Sequence, residues 1–367
     1  MLEIYVHIPF CRAKCGYCDF NSFPPAEGQT EKYVIKLIKE IAENPYRGEK
    51  ADTIFIGGGT PSLISPEYIS KILKAVNSAF PFAENCEITM EANPESITLE
   101  GLKIYKNAGV NRISMGVQSF NDSELKTLGR IHNSRQAVEA YNMIRKAGFK
   151  NINIDLMFSY PSQSLESWEK SLYKAVELNP EHISAYSLII EENTLFYKKY
   201  KNFQTNEDLY RIMYRKTKEI LERAGYHRYE FSNLAKEGYE CRHNIGYWKR
   251  YNYLGFGLSA HSMYNNVRFS NTDSLSEYLT GEKENYREVL AKGDIIGEFM
   301  FLGLRMTEGI NLSEFRQNFG EDIFKIFGSV IEKYEKYGFL EHNKERLWLT
   351  EDGIDVSNTI FSDFLLD

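Results

Sequence analysis

The sequence lacks an apolar run long enough to cross a bilayer, an excess of basic residues, and a cysteine pattern typical of disulfides. Its 44 Lys and Arg are outnumbered by 51 Asp and Glu, and the net charge of −7 argues against bulk electrostatic binding of nucleic acid. The five cysteines are an odd number, and no signal peptide is recognised before the first predicted strand, so no disulfide framework is expected. We expect a cytoplasmic protein with reduced thiols.

Three closely spaced cysteines near the N-terminus carry most of the chemical information. Cys11, Cys15 and Cys18 follow a Cys-x3-Cys-x2-Cys spacing directly after a short apolar run. Three thiolates can hold three irons of a four-iron cluster, whereas electron-transfer ferredoxins use four cysteines per cluster. Structural zinc usually has four paired ligands, and the later cysteines, Cys86 and Cys241, are isolated. The spacing therefore predicts a 4Fe–4S cluster with one iron open to an exogenous ligand.

Residues 1–200 alternate strand-like and helix-like segments and are predicted to be the core domain. Strands are predicted at residues 2–8, 53–56, 87–90, 112–117, 152–157 and 182–189. Six strand-then-helix units with short connections indicate a parallel sheet with crossover helices. An open doubly wound sheet is the alternative. The absence of a Gly-x-Gly-x-x-Gly dinucleotide motif favours a partial (β/α)6 barrel of the α/β class.

The rest of the chain has a different pattern. Residues 201–297 are predicted to be an aromatic-rich connecting or lid region that includes one long amphipathic helix. Residues 298–367 are predicted to form a small C-terminal α+β domain, in which two helices and a β-ribbon resemble a winged helix. Its second helix mixes acidic and basic residues, so we expect a structural or docking role rather than DNA binding.

Glycines and polar residues occur where the predicted strands end. They are the Gly-Gly-Gly-Thr run at 57–60, Glu91, Gln118 and Asp155, with Arg130 a little further along. Glycines let a ligand approach the backbone, carboxyl and amide groups can accept from ribose hydroxyls and an amine, and an arginine can bind a carboxylate. Because barrels gather such residues at one edge, this set and an open cluster predict radical chemistry with S-adenosylmethionine.

Longer motifs support this interpretation. The cysteine spacing, with the aromatic Tyr17 before the last cysteine, resembles the radical S-adenosylmethionine superfamily. Residues 5–11, 56–61, 116–120 and 153–156 resemble motifs of the oxygen-independent coproporphyrinogen III oxidase family. The resemblance covers essentially the whole chain, including the small C-terminal domain.

This resemblance implies a set of cofactor-binding residues. Cys11, Cys15 and Cys18 would ligate the 4Fe–4S cluster, to which S-adenosylmethionine binds exchangeably. A second set would contact S-adenosylmethionine: Tyr5, Tyr17, Gly58, Gly59, Thr60, Glu91, Gln118, Arg130, Asp155 and Ile189. For Ile189, only its spacing in the sequence supports the assignment.

The family has two branches, a true oxidase and a heme chaperone, and three features favour the second. Phe20 stands where the oxidase has a fourth cysteine, and ten residues precede Cys11 where the oxidase has a long N-terminal extension. Residues 243–248, His-Asn-Ile-Gly-Tyr-Trp, match the His-Asn-x-x-Tyr-Trp signature of the chaperone branch. The resemblance therefore implies a heme chaperone, with a coproporphyrinogen III dehydrogenase as the alternative.

Five residues are candidate heme contacts: His243, Asn244, Tyr247, Trp248 and His261. An imidazole can ligate heme iron, aromatic rings offer flat apolar faces to a porphyrin, and an amide can orient a histidine or a propionate. Simple packing within a lid is the alternative for this motif.

The two branches imply different activities. A heme chaperone would bind heme and pass it to apo-hemoproteins, with respiratory enzymes at the membrane as expected clients. An oxidase would use a 5′-deoxyadenosyl radical to decarboxylate two propionates of coproporphyrinogen III, which yields protoporphyrinogen IX. A radical enzyme on another substrate is a more distant alternative. We expect no nucleic-acid partner and a cytoplasmic location, peripheral at the membrane through clients; the oligomeric state stays open.

Overall fold

The computed structural model describes residues 1–203, 205–281 and 284–366. Its centre is a sheet of twelve strands, six of which are parallel and adjacent in chain order. These six are β1 (Leu2–Ile8), β2 (Ala51–Gly58), β3 (Phe82–Ala92), β4 (Arg112–Gln118), β5 (Ile152–Phe158) and β6 (His182–Ser187). The helices between them are α1 (Gln29–Ala42), α2 (Pro66–Ala79), α3 (Leu99–Asn107), α4 (Asp122–Leu128), α5 (Ser134–Lys146) and α6 (Leu165–Leu178). The predicted α/β alternation is confirmed.

The described residues between 195 and 289 continue the sheet at both ends, while the assignment of residues 201–297 as a connecting or lid region stays a prediction. They form α7 (Leu195–Tyr200), α8 (Glu207–Arg223), β7 (His227–Arg228), β8 (Asn233–Ala235), α9 (Arg242–Trp248), β9 (Asn252–Phe256), β10 (His261–Tyr264), β11 (Val267–Asn271), α10 (Leu275–Thr280) and β12 (Glu284–Val289). At one end β8 pairs antiparallel with β6, and β7 follows it. At the other end β9 is parallel to β1, and β10, β11 and β12 are antiparallel. These short strands lack a long apolar run, so sequence patterning missed them.

The chain passes from one end of the sheet to the other through α9. This helix packs against the inner face of the barrel, where it contacts Thr53 of β2 and Glu87 of β3 and lies close to Glu3 of β1. It therefore covers the amino-terminal opening of the barrel and leaves the carboxyl ends of the strands free.

The C-terminal domain has a hydrophobic core of its own. Its elements are α11 (Lys292–Gly303), β13 (Ile310–Asn311), α12 (Leu312–Phe319), α13 (Ile323–Lys336), β14 (Leu340–His342), β15 (Arg346–Leu349), α14 (Glu351–Asp355) and α15 (Ser357–Ser362). Two helices followed by an antiparallel ribbon agree with the predicted α+β, winged-helix-like arrangement. The exact domain boundaries stay predictions. Among the described helices, none combines the length and apolar character needed to span a membrane.

Candidate functional site

The carboxyl ends of the parallel strands surround a cavity of about 430 Å³, which we call the first cavity. Most residues predicted to bind the cluster or S-adenosylmethionine line it. They are Cys11, Cys15, Tyr17, Cys18, Gly58, Gly59, Thr60, Glu91, Gln118, Arg130 and Asp155. The parallel sheet brings them together because all its strand ends share one edge.

The cysteine loop is fixed by backbone hydrogen bonds to other parts of the barrel. The N–H of Gly16 donates to the carbonyl of Leu128 at 3.3 Å, and the N–H of Phe196 donates to the carbonyl of Gly16 at 2.8 Å. Sγ of Cys11 lies 3.4 Å from Oγ1 of Thr60. Within the described ranges, no three His, Cys, Asp or Glu side chains are placed to hold a single metal ion. Cys11, Cys15 and Cys18 are free thiols in this loop.

Arg130 forms one wall of the first cavity. Its Nη1 donates to Sγ of Cys15 at 3.5 Å, and its Nη2 donates to Oδ1 of Asn93 at 2.6 Å and to the carbonyl of Gly116 at 2.8 Å. Its Nε is buried and has no hydrogen-bond partner among the described residues. A buried, unpaired N–H costs about 1–3 kcal/mol, so an anionic ligand group at this position would be stabilised.

Two carboxyl groups face the same cavity. Burial, and then the nearby Asp155, raise the pKa of Glu91 to about 8, while the N–H of Gly58 donates to its Oε2 at 3.0 Å. Burial also raises the pKa of Asp155, an effect opposed by hydrogen bonds from Asn153 at 2.7 Å and Ser114 at 3.2 Å. Together the two groups can accept from hydroxyl and ammonium groups, and a cationic ligand would favour their ionised forms.

The glycine run leaves no room for side chains. A Cβ on Gly58, whose φ is 107°, would lie 2.4 Å from the ring of His7. A Cβ on Gly59 would lie 2.7 Å from the carbonyl oxygen of Phe10. Gln118, at the end of β4, has a φ of 68°, a left-handed conformation that is uncommon for a residue with a side chain. The glycines let the end of β2 pack directly against the end of β1, where the N–H groups of Gly59 and Thr60 donate to the carbonyls of Ile8 and Phe10, each at 2.8 Å.

Two predicted residues lie outside the first cavity. The hydroxyl of Tyr5 is 3.0 Å from Nδ1 of His7, and Ile189 is 69% exposed, so their contacts with S-adenosylmethionine stay predictions. Other polar residues line the cavity although they were not predicted: Asn93, Ser114, Asn153, Ser184 and Tyr186. Asn153 lies two residues before Asp155, so strand alternation could have indicated it.

His243 is enclosed inside the barrel rather than open to a ligand. It is 1% exposed, and its ring stacks on Phe55 with centroids 5.2 Å apart. Its Nδ1 is 2.7 Å from Oγ1 of Thr53, and its Nε2 is 3.1 Å from the hydroxyl of Tyr247. Burial, and then the charge of Arg112, lower the pKa of His243 to about 3, so the ring is neutral. Both nitrogens are engaged, and neither is free to ligate iron.

The position of α9 depends on two buried carboxyl groups. Glu87 accepts from two N–H groups in the first turn of the helix, at 3.1 and 3.2 Å. Sγ of Cys241 is 3.5 Å from the same carboxylate, and burial raises the pKa of this thiol to about 12. A Cβ on Gly246 would lie 1.7 Å from Oε1 of Glu3. Glycine at this position therefore lets the helix approach β1 closely.

The other heme candidates are divided between different surfaces. Asn244 lines the first cavity, whereas His261 is exposed on β10. Tyr247 and Trp248 line a separate cavity of about 270 Å³, which we call the second cavity. It is formed by Tyr247, Trp248, Arg250, Tyr253, Met263, Arg268, Glu298, Phe301 and Leu302.

Comparison with known proteins identifies the family. Residues 5–174 match the family model of the radical SAM superfamily, and residues 290–356 match the HemN C-terminal domain. The heme chaperone HemW of Bacillus subtilis is 36% identical over 376 residues, which cover 100% of this chain and 99% of the relative. The heme chaperone HemW of Escherichia coli is 37% identical over 377 residues, which cover 100% and 98%. The chain belongs to the HemW family.

The fold of this HemW family member also agrees with a solved structure. Coproporphyrinogen III oxidase (HemN) from Escherichia coli, described as a radical SAM enzyme, superimposes with a TM-score of 0.87. The two are 23% identical, and the match covers 99% of this chain and 89% of HemN. The likeness shows the fold and confirms the radical SAM barrel with its HemN-type C-terminal domain.

Membership of the radical SAM superfamily implies a 4Fe–4S cluster and S-adenosylmethionine, and the first cavity fits them. Three free thiols border it, the Nε of Arg130 lacks a partner among the described residues, and Glu91 and Asp155 supply oxygen acceptors. Cys11, Cys15 and Cys18 would hold the cluster, and Arg130 would hold the carboxylate of the methionyl end. When bound, this pair of cofactors supplies one-electron radical chemistry.

Proposed function

We propose that this HemW family member is a heme chaperone, which binds heme and transfers it to apo-hemoproteins. The full-length likeness to curated proteins named heme chaperone HemW carries this proposal. Phe20, which lines the first cavity where a true oxidase has a further cysteine, also supports it. Within this proposal, the cluster and S-adenosylmethionine control heme transfer and do not catalyse repeated conversion of a substrate.

The chain's own residues supply what such a role requires in the first cavity. The cysteine loop supplies thiols for the cluster, Arg130 can hold an anionic group, and Glu91 and Asp155 can accept from hydroxyl and ammonium groups. Asn244 projects from α9 into the same cavity, while Tyr247 of that helix lines the second. The two cavities therefore share α9 as a common wall, which supports a role for the first cavity in heme transfer.

The direct test compares transfer with turnover. The reconstituted protein is loaded with heme and mixed with membrane vesicles that carry a heme-depleted respiratory enzyme. We expect faster heme transfer to these vesicles than to apomyoglobin, which collects heme that dissociates passively. Equal rates for the two acceptors would contradict a chaperone that recognises its clients.

The second arm supplies reductant, S-adenosylmethionine and coproporphyrinogen III to the same preparation. We expect no sustained formation of protoporphyrinogen IX. Sustained turnover would instead establish the oxidase activity that the HemN-like fold also permits.

We also propose a cytoplasmic location, with recruitment to the membrane through clients such as respiratory enzymes. The negative net charge supports clients rather than anionic lipid as the membrane contact. Fractionation of cells with and without the heme-requiring respiratory enzyme tests this. Membrane association that persists without the client would contradict it.

A further inference from the structure

The second cavity has an excess of positive charge among its lining residues. The carboxylate of Glu298 accepts from Nε of Arg250 at 2.7 Å and also pairs with Arg268. Two guanidinium groups therefore share one carboxylate in this lining. Glu288 lies opposite Arg268 in the next strand, but it is outside the cavity and accepts from the hydroxyl of Tyr286. A second carboxylate, supplied by a ligand, would balance the charge.

Two buried donors of this cavity are unpaired. The side chain of Arg250 is 10% exposed, and its Nη2 has no partner in the described part of the chain. The Nε1 of Trp248 is buried and unpaired in the same way. Each such group costs about 1–3 kcal/mol when no acceptor is present. An oxygen acceptor that reached either atom would remove this cost, and because both atoms are enclosed, lining side chains must move to admit it.

The backbone of Arg250 is itself in an uncommon conformation. Its φ is 58°, in the left-handed region that glycine usually occupies after a helix. This conformation directs the side chain toward Glu298 and toward Asn266, whose Oδ1 accepts from Nη1 at 2.9 Å. The same conformation ends α9, since the N–H of Tyr251 donates to the carbonyl of Gly246 at 2.9 Å.

The sheet places His261 beside the same cavity. Tyr253, Met263 and Arg268 lie opposite one another on β9, β10 and β11 and share one face. His261 precedes Met263 by two residues and therefore projects from that face. It is exposed and diagonal to Arg268. Burial and the nearby Arg268 lower the pKa of His261, which favours the neutral ring that an iron ligand needs.

The first cavity is the proposed site of the cluster and S-adenosylmethionine. Its volume of about 430 Å³ is in the range of roughly 300–1,000 Å³ that suits a single drug-sized ligand. The second cavity, of about 270 Å³, could enclose one edge of a tetrapyrrole while the rest lies on the open face that bears His261.

We propose that the second cavity binds the propionate edge of heme, with Arg250 and Arg268 as carboxylate partners and His261 as iron ligand. This inference rests on the proposed heme-chaperone function and adds a location to it. His243 then has a structural role, since both of its nitrogens are already engaged.

The test titrates the cluster-reconstituted protein with heme and with heme dimethyl ester, whose propionates are blocked. Arg268→Gln is expected to weaken heme binding about tenfold to a hundredfold, because a charge-assisted hydrogen bond is lost. The variant should bind the ester with wild-type affinity. His261→Ala is expected to shift the Soret band, while His243→Ala leaves the band in place.

Arg287→Gln is the matched control, since this guanidinium lies over Phe269 on the opposite face of the same strands. Cluster absorbance and the melting temperature check that each variant folds. Wild-type heme affinity in both Arg268→Gln and Arg250→Gln would overturn the location but not the chaperone function. A wild-type protein that binds no heme would overturn both.

Discussion

The first and second cavities are lined by successive turns of α9 and are built in different ways. The first is formed by residues that follow parallel strands, so one architectural rule brings a loop and several strand ends together. The second needs the end of α9, three strands of the sheet extension and α11 of the C-terminal domain. The comparison shows that residues of one sequence motif need not serve one site. Asn244 lines the first cavity, Trp248 lines the second, and His243 lies buried.

The largest expected effect is loss of the cluster from the first cavity without loss of heme binding at the second. Replacing Cys11, Cys15 and Cys18 together by Ala should abolish the absorbance of the reconstituted 4Fe–4S cluster, because no thiolate ligand is left in the loop. Heme affinity should change little, since the second cavity contains none of these residues. Cys86→Ala is the control and should keep the cluster. A cluster that survives the triple replacement would contradict the ligand assignment.

Removal of the Arg130 charge should affect the first cavity alone. We expect Arg130→Gln to raise the Kd for S-adenosylmethionine about tenfold to a hundredfold, because a charge-assisted hydrogen bond is lost. Calorimetric titration of the cluster-loaded protein measures this. Arg135→Gln, an exposed position paired with Glu139, should retain wild-type affinity. An unchanged Kd in Arg130→Gln would remove this residue from the carboxylate site.

His243→Ala tests whether the signature histidine is structural. We expect the free energy of unfolding to fall by about 1–3 kcal/mol, because the replacement leaves buried polar partners unpaired. Those partners are the hydroxyls of Thr53 and Tyr247. Denaturant unfolding measures the loss, and heme titration should give a Kd within about twofold of wild type. A large loss of heme affinity with unchanged stability would assign His243 to the heme site instead.

The smallest expected effect concerns how stability depends on pH through Glu3, the buried carboxyl group that lies against α9. Burial, and then Glu87, raise the pKa of Glu3 from 4.5 to about 9. Between these values the folded state binds more protons than the unfolded state, so this group lowers stability as pH rises. Glu3→Gln should remove that dependence.

Melting temperatures measured from pH 5 to pH 9 check this expectation. The melting temperature of Glu3→Gln relative to wild type should increase steadily across the range. Glu341→Gln is the control at an exposed position on β14, and its melting temperature should differ from that of wild type by a constant amount across this range. A constant difference between Glu3→Gln and wild type would show that Glu3 is ionised in the folded protein.

Much of the first cavity could be predicted from sequence because its parts are local or periodic. The cysteine spacing lies within eight residues, and the strand ends follow from alternating apolar segments. Ile189, which rested on spacing alone, projects to solvent. Ser114 was missed because a buried polar residue inside a strand has no distinctive sequence pattern, whereas alternation from Asp155 could have indicated Asn153.

The sequence alone determined the α/β alternation, the three-thiol loop and the resemblance to the family, since each depends on short spacing or chain order. Only the tertiary structure decided which way each residue of α9 projects. His243 and Tyr247 are one helical turn apart, and their side chains hydrogen-bond to each other rather than to a ligand. The second cavity joins Arg250, Arg268 and Glu298, which lie on separate elements. Long-range packing brings these residues together, and no sequence spacing encodes it.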